Sequence, residues 1–202
     1  MSAATETPSE TPSSPPEDSR YNVPFDDSRI IKYGEPGGEI LRRVADEVKV
    51  VDADLRDLIR EMGDLMYAAR GVGLAAPQVG KSIRLLVYDT GSGLRALINP
   101  TLSKLRGEQY EPEEGCLSIP GLRGVVRRAR EVTVNALSAD GRPIRFRATD
   151  FEARCIQHEV DHLNGVLFVD LAEPKSLHML TPEEIREEQA GPANAKDIPP
   201  AE

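Results

Sequence analysis

The segment Gln157-His158-Glu159-Val160-Asp161-His162 constrains this chain more than any other. It sets two imidazoles four residues apart with a carboxylate between them. At 3.6 residues per turn, positions i and i+4 share one helical face, so both rings can reach one ion while Glu159 lies beside it. A metal held by two His, with a carboxylate at hand to move protons, is the core of a hydrolytic site. The flanks support a helix. Thr149-Asp150-Phe151-Glu152 has the spacing of a capping box, Phe151, Cys155, Ile156 and Leu163 recur at helical intervals, and Gly165 stands where a C-terminal cap is expected. The plainer alternative is a surface helix that happens to carry two His. Against it, two of the chain's three histidines fall here, and burying such a pair beside Glu159 and Asp161 is costly without a metal or partners.

A catalytic site of this kind takes a third protein ligand and keeps a position open for water. An astacin-like continuation would need His at position 168, which is Phe168. A thermolysin-like Glu could come from Glu173, Glu183 or Glu184, although the last two lie in a charged tail where a solvated role is the simpler reading. Cys155 is on the same helix, ~10 Å along the axis from His162, and reads as a small buried core residue. Cys116 stands in Glu113-Glu114-Gly115-Cys116-Leu117-Ser118-Ile119-Pro120, a loop entering a strand, and a thiolate there is favoured as the third ligand.

Gly71-Val72-Gly73-Leu74-Ala75-Ala76 is a run of small side chains that permits close backbone approach. It lacks the third Gly of a dinucleotide fingerprint and the Lys of a P-loop, which excludes nucleotide binding by either motif. Gly71 is expected to cap a helix, while Val72 and Gly73 offer backbone groups to an extended peptide.

Three segments, Gly71-Val72-Gly73-Leu74-Ala75-Ala76-Pro77-Gln78, Glu114-Gly115-Cys116-Leu117-Ser118 and Gln157-His158-Glu159-Val160-Asp161-His162, resemble in order and separation the motifs of the peptide deformylase family. The resemblance spans roughly residues 28–175. It implies that Cys116, His158 and His162 hold one divalent metal per chain, with Fe²⁺ favoured over Zn²⁺, Ni²⁺ or Co²⁺. It also implies that Glu159 is the acid/base, that the Gln78 amide and the Leu117 N–H bind the oxyanion, and that Val72, Gly73 and Gly115 line the substrate. The implied substrates are N-formyl-methionyl nascent peptides. Outside the motifs, a long N-terminal extension and extra residues around Gly37-Gly38-Glu39 depart from the pattern.

Asp52 to Arg70 reads as an amphipathic helix whose apolar stripe is Leu55, Ile59, Met62, Leu65, Met66 and Ala69. Residues 83–89, 94–99, 131–137 and 144–149 read as strands, with Asp140-Gly141 as the turn between the last two. Strands without regular alternation with helices predict an α+β fold of mixed, mainly antiparallel strands around a central helix carrying the His-Glu-x-x-His motif. The expected divisions are a disordered acidic Pro/Ser-rich extension at 1–27, a metal-dependent deformylase domain at 28–180, and an acidic, largely disordered tail at 181–202. A short helix is expected after Thr181-Pro182. The two ends, residues 1–20 and 181–202, contribute −3 and −4 to the net charge of −9, so the core is near neutral and the acidic balance says little about partners.

Four Arg between Arg123 and Arg130 read as a solvated or ion-paired strand face, with transient ribosome contact as the weaker reading. No run is long or apolar enough to span a membrane, there is no secretory signal, and no DNA partner is expected. Two cysteines without such a signal point to reduced thiols and a cytoplasmic location. Two rival functions stand behind the hydrolase: a metallopeptidase cutting internal peptide bonds, and a non-catalytic metal-binding module with a fourth protein ligand. Neither explains why Gln78 and the Gly-Cys-Leu segment occur together.

Overall fold

A computed structural model describes residues 23–190. The order of elements is α1 (Ala53–Ala68), β1 (Gly73–Ala75), β2 (Leu85–Tyr88), β3 (Arg95–Arg106), β4 (Glu114–Cys116), β5 (Ile119–Gly124), β6 (Glu131–Leu137), β7 (Pro143–Thr149), α2 (Asp150–Leu163), α3 (Phe168–Leu171), β8 (His178–Met179) and α4 (Pro182–Ala190). Short 3-10 turns occupy Gly38–Arg42, where the extra residues fall, and Ala76–Val79. The strands form a five-stranded antiparallel sheet, ordered β1-β2-β3-β6-β7, and a three-stranded sheet, ordered β4-β5-β8. The expected α+β class of mainly antiparallel strands is what the structure has, and residues 158–162 lie in α2.

Side-chain alternation along β2 explains the layering. Leu86 and Tyr88 point to one face and join Ala153, Cys155, Ile156, Val160 and Leu163 of α2. Leu85 and Val87 point to the other and meet Leu55, Ile59, Met62, Leu65, Met66 and Ala69, the whole stripe expected for α1. A strand buried on both faces reads as a continuous apolar run, and Leu-Leu-Val-Tyr is one. The Cys116, Val126, Phe168 and Ala172 cluster packs the smaller sheet against α3. Completely burying a side chain such as Ile156 stabilises the fold by about 1.5–3 kcal/mol.

Four local expectations need correction. No side chain caps α2 at Thr149. Glu152 instead accepts from the Tyr88 hydroxyl at 3.0 Å, and Asp150 adopts a left-handed φ of 50° with its carboxylate on Arg130. At the end of α1, Arg70 rather than Gly71 takes the left-handed position (φ 60°), and the Gly71 N–H closes the turn on the Met66 carbonyl at 2.8 Å. Third, β3 runs to Arg106, seven residues past its expected end at Asn99, with register shifts against β6. Last, Cys116 ends a strand and does not lie in a loop entering one. At the far end of α2, Gly165 (φ 72°) does terminate the helix: its N–H bonds to the His162 carbonyl and that of Val166 to Asp161.

Contacts at both ends reach beyond residues 28–180. Arg70 donates to the Val23 carbonyl at 2.7 Å and to the Gln189 carbonyl at 3.3 Å, and the helix expected after Thr181-Pro182 is α4. The expected disorder of residues 1–22 and 191–202 lies outside the described residues. Among the described residues no helix is long and apolar enough to cross a membrane.

Candidate active site

The β4–β5 hairpin and α2 face each other across the site. Pairing of Cys116 with Ile119 leaves Leu117-Ser118 as a two-residue turn, which projects the Cys116 thiol from the hairpin tip. On α2, the i, i+4 spacing brings the rings of His158 and His162 to 5.0 Å between centroids, and Phe168 stacks behind His158 at 6.2 Å. Cys116, His158 and His162 each offer one ligand atom, all within 4.8 Å of one another, and Cys116 Sγ lies 3.3 Å from His162 Nε2.

The donor set fits a divalent metal ion. Burial opposes ionisation of the Cys116 thiol, but the charge of His162 and hydrogen bonds from both imidazoles hold it well below its ordinary value, as a thiolate ligand requires. His158 Nδ1 is tied to Glu114 Oε2 at 2.9 Å, which leaves Nε2 free to ligate. Three such donors keep a coordination position open.

Glu159 sits beside this cluster, 4% exposed, and its Oε2 has no hydrogen-bond partner among the described residues. Burial pushes its carboxyl up to about 6, with His158 and His162 pulling the other way. A desolvated carboxylate of that basicity is suited to taking and returning a proton near neutral pH. Gly73 makes room for it: a Cβ there would lie 2.4 Å from Glu159 Oε1.

Gln78 is buried, and its two amide ends are used differently. Oε1 accepts from the Ala75 N–H at 2.8 Å, while Nε2 lies 3.2 Å from Ser118 Oγ and 3.7 Å from Cys116 Sγ. The amide therefore points its donor at the site. The Val72 carbonyl is taken by the Asp89 N–H at 2.9 Å and by the Cys155 thiol at 3.5 Å. Antiparallel ladders alternate their bonding direction, so the backbone groups of the next residue, Gly73, face the open side of β1, the sheet's edge strand. Gly115 lies under the Arg123 guanidinium, which a Cβ would strike.

Of the nine residues the resemblance implies, eight line one cleft, and His162 lies behind it with Cys116 and His158. A cleft of about 370 Å³ is lined by Val72, Gly73, Gln78, Gly115, Cys116, Leu117, His158 and Glu159, with Ile185 and Glu188 of α4 on its far wall. Cys155 lines the cleft too, but its thiol is pushed well up by burial, and both cysteines are free.

Sequence reasoning gave no role to the charged group behind the site. Glu114, 5% exposed, accepts from Arg128 at 2.7 and 2.8 Å, from Arg154 at 2.8 Å and from His158. Burial alone would raise its carboxyl, yet Arg128 and His158 hold it well below the usual carboxylate range. Arg128 also pairs with Asp161 at 2.5 Å. The signal was present: Arg154, His158 and Asp161 are spaced i, i+4, i+7 on one helical face. The other three arginines of the run are ion-paired as well, Arg123 with Glu188, Arg127 with Glu108 and Arg130 with Asp150.

Three candidate ligand atoms and a buried, unpartnered carboxylate at the foot of an open cleft are the donor set of a mononuclear metallohydrolase. Comparison with known proteins gives the family. The polypeptide deformylase family model matches residues 28–177, and the chain belongs to that family. It is 43% identical over 155 residues to a peptide deformylase of Pelotomaculum thermopropionicum, covering 77% of this chain and 98% of that protein. A peptide deformylase of Halothermothrix orenii is 49% identical over 144 residues, covering 70% and 91%. Among solved structures, that of the Thermotoga maritima peptide deformylase aligns with a TM-score of 0.69 at 39% identity over 72% of this chain and 97% of that one. The Synechococcus elongatus enzyme in complex with actinonin gives 0.68 at 38% identity over 93% and 91%. Members of the family use a single metal ion to remove the N-formyl group from newly synthesised polypeptides.

Proposed function

We propose that Cys116, His158 and His162 hold the ion, that Glu159 moves the protons, and that the Gln78 amide and Leu117 N–H receive the oxyanion during deformylation of N-formyl-methionyl peptides. The observation that carries this reading is the meeting of a Cys-His-His cluster, an unpartnered buried carboxylate and the Gln78 donor at the foot of one cleft.

An extended peptide adds to the open edge at Gly73, with its formyl end toward Cys116 and its chain leading out past α4. A bound divalent ion supplies Lewis acidity toward the formyl carbonyl and the hydrolytic water. Glu159 takes a proton from that water as its oxygen adds to the formyl carbon. The Gln78 Nε2–H and the Leu117 N–H donate to the carbonyl oxygen as it gains charge, and one such donor is worth about 3 kcal/mol. Glu159 then returns its proton to the methionyl nitrogen as the C–N bond breaks, releasing formate and a free amine. Glu114 keeps His158 in the tautomer that ligates, and Arg128 and Arg154 keep Glu114 ionised.

The proposed ion in the cell is Fe²⁺, with Zn²⁺, Ni²⁺ and Co²⁺ as competitors accepted by the same donors. The free thiols support a cytoplasmic location. Support for transient ribosome contact through the Arg123–Arg130 run is weak, because each guanidinium already meets a carboxylate. The test is mass analysis of formyl-Met-Ala-Ser after incubation with anaerobically purified protein. Formate and intact Met-Ala-Ser are expected. Cleavage of the Met-Ala bond would make the protein a metallopeptidase, and an unchanged peptide would make it a metal-binding module.

A further inference from the structure

The segment just before the 3-10 turn at Gly38 reaches both proposed oxyanion donors. The Ile31 N–H bonds to the Gln78 carbonyl at 2.8 Å, and the Tyr33 N–H bonds to the Ser118 carbonyl at 2.8 Å. Between them, the Lys32 ammonium donates to the Leu117 carbonyl at 3.0 Å and pairs with Asp27 at 2.6 Å, with the Lys32 side chain only 16% exposed. The Leu117 carbonyl and the Ser118 N–H belong to one peptide unit. That N–H points at Cys116 Sγ, 3.4 Å away.

A positive charge on the oxygen of a peptide polarises its N–H, and a bond from a charged donor is stronger and more geometrically fixed than a neutral one. The Leu117-Ser118 turn has only two residues, so holding one peptide plane fixes the next. We infer that Lys32 is a positioning residue for deformylation: its ammonium clamps the Leu117–Ser118 peptide, aiming the Leu117 N–H at the formyl oxygen and strengthening the Ser118 N–H bond to the Cys116 sulfur. This rests on the deformylase reading above. A purely structural Lys32 would tie residues 27–33 to the body and leave the reacting groups unaffected.

The experiment compares Lys32→Met and Lys32→Arg with the parent protein, each loaded with Co²⁺. Readouts are kcat and KM on formyl-Met-Ala-Ser, thermal midpoint, and the thiolate-to-Co²⁺ absorption band. Lys32→Met is expected to lower kcat about 10-fold or more with KM within threefold. Its band should move to longer wavelength, because a sulfur that has lost part of its hydrogen bond gives up electron density more readily. Lys32→Arg, which keeps a charged donor, should recover kcat to within threefold. If Lys32→Met does not fold, Lys32→Gln is read by the same criteria. Parent-like kcat in Lys32→Met overturns the inference. So does a loss that follows a lowered midpoint, leaves the band unmoved and is not recovered by Arg. Absence of formate release from the parent protein is a separate result, which overturns the deformylase reading and the inference together.

Discussion

Replacing Gly73 by Ala is a one-carbon test of how tightly the site is built. A Cβ on Gly73 would lie 2.4 Å from Glu159 Oε1, 2.8 Å from Cδ and 2.9 Å from Cγ. Ordinary contact for such atoms is about 3.5 Å, so the carboxylate has to move by roughly 1 Å. Gly73 is not among the positive-φ glycines, so Ala fits its backbone and the clash is isolated from conformational strain. Misplacing a catalytic group by that much costs about 100-fold in rate, equivalent to ~2.7 kcal/mol in the barrier. Overpacking should lower stability by about 1–3 kcal/mol. The assay is kcat/KM for formate release, with metal content and urea unfolding measured on the same preparation. The expected variant is folded, carries its metal and is about 100-fold slower. Activity within threefold of the parent would refute the claim that Gly73 exists to seat Glu159.

Gln78→Ala should lower kcat about 100-fold while metal content, measured by atomic absorption, stays unchanged; a larger loss of metal than of rate would assign Gln78 to the metal site instead. Glu114→Gln leaves Arg128 and Arg154 buried without their shared countercharge and should cost about 3–5 kcal/mol in urea unfolding, with less than 1 kcal/mol contradicting the account. In metal-free protein at pH 8, iodoacetamide should modify Cys116 and spare Cys155, since the first thiol is held down and the second pushed up. Mass mapping of the peptides checks this, and comparable labelling of Cys155 would count against the assigned environments.

What the sequence revealed followed from whether one short segment carried its own signal. The α1 stripe is written in every third or fourth residue, and every member expected to be buried is buried. The His158–His162 spacing fixes a shared face whatever surrounds it, and Gly165 ends α2 because only a left-handed residue lets the chain leave there. Elements that depend on a distant partner were harder to see. The end of β3, Ser103-Lys104-Leu105-Arg106, is mostly polar and is exposed from Lys104 onward, and it is a strand because β6 lies beside it. The apparent capping box failed because Tyr88, more than sixty residues away, claims Glu152. Glu114 stands in a quoted motif, yet its role appears only when Arg128, Arg154 and His158 converge on it from two other segments. Lys32 carries no local pattern at all.

The central claim is that Glu159 moves protons and does not hold the ion. Its most direct test is Glu159→Ala, purified without oxygen, with metal per chain and formate release from formyl-Met-Ala-Ser measured on one sample. The account predicts about one metal per chain, as in the parent, and loss of nearly all turnover. Retained turnover, or a variant that has lost its metal, would contradict it.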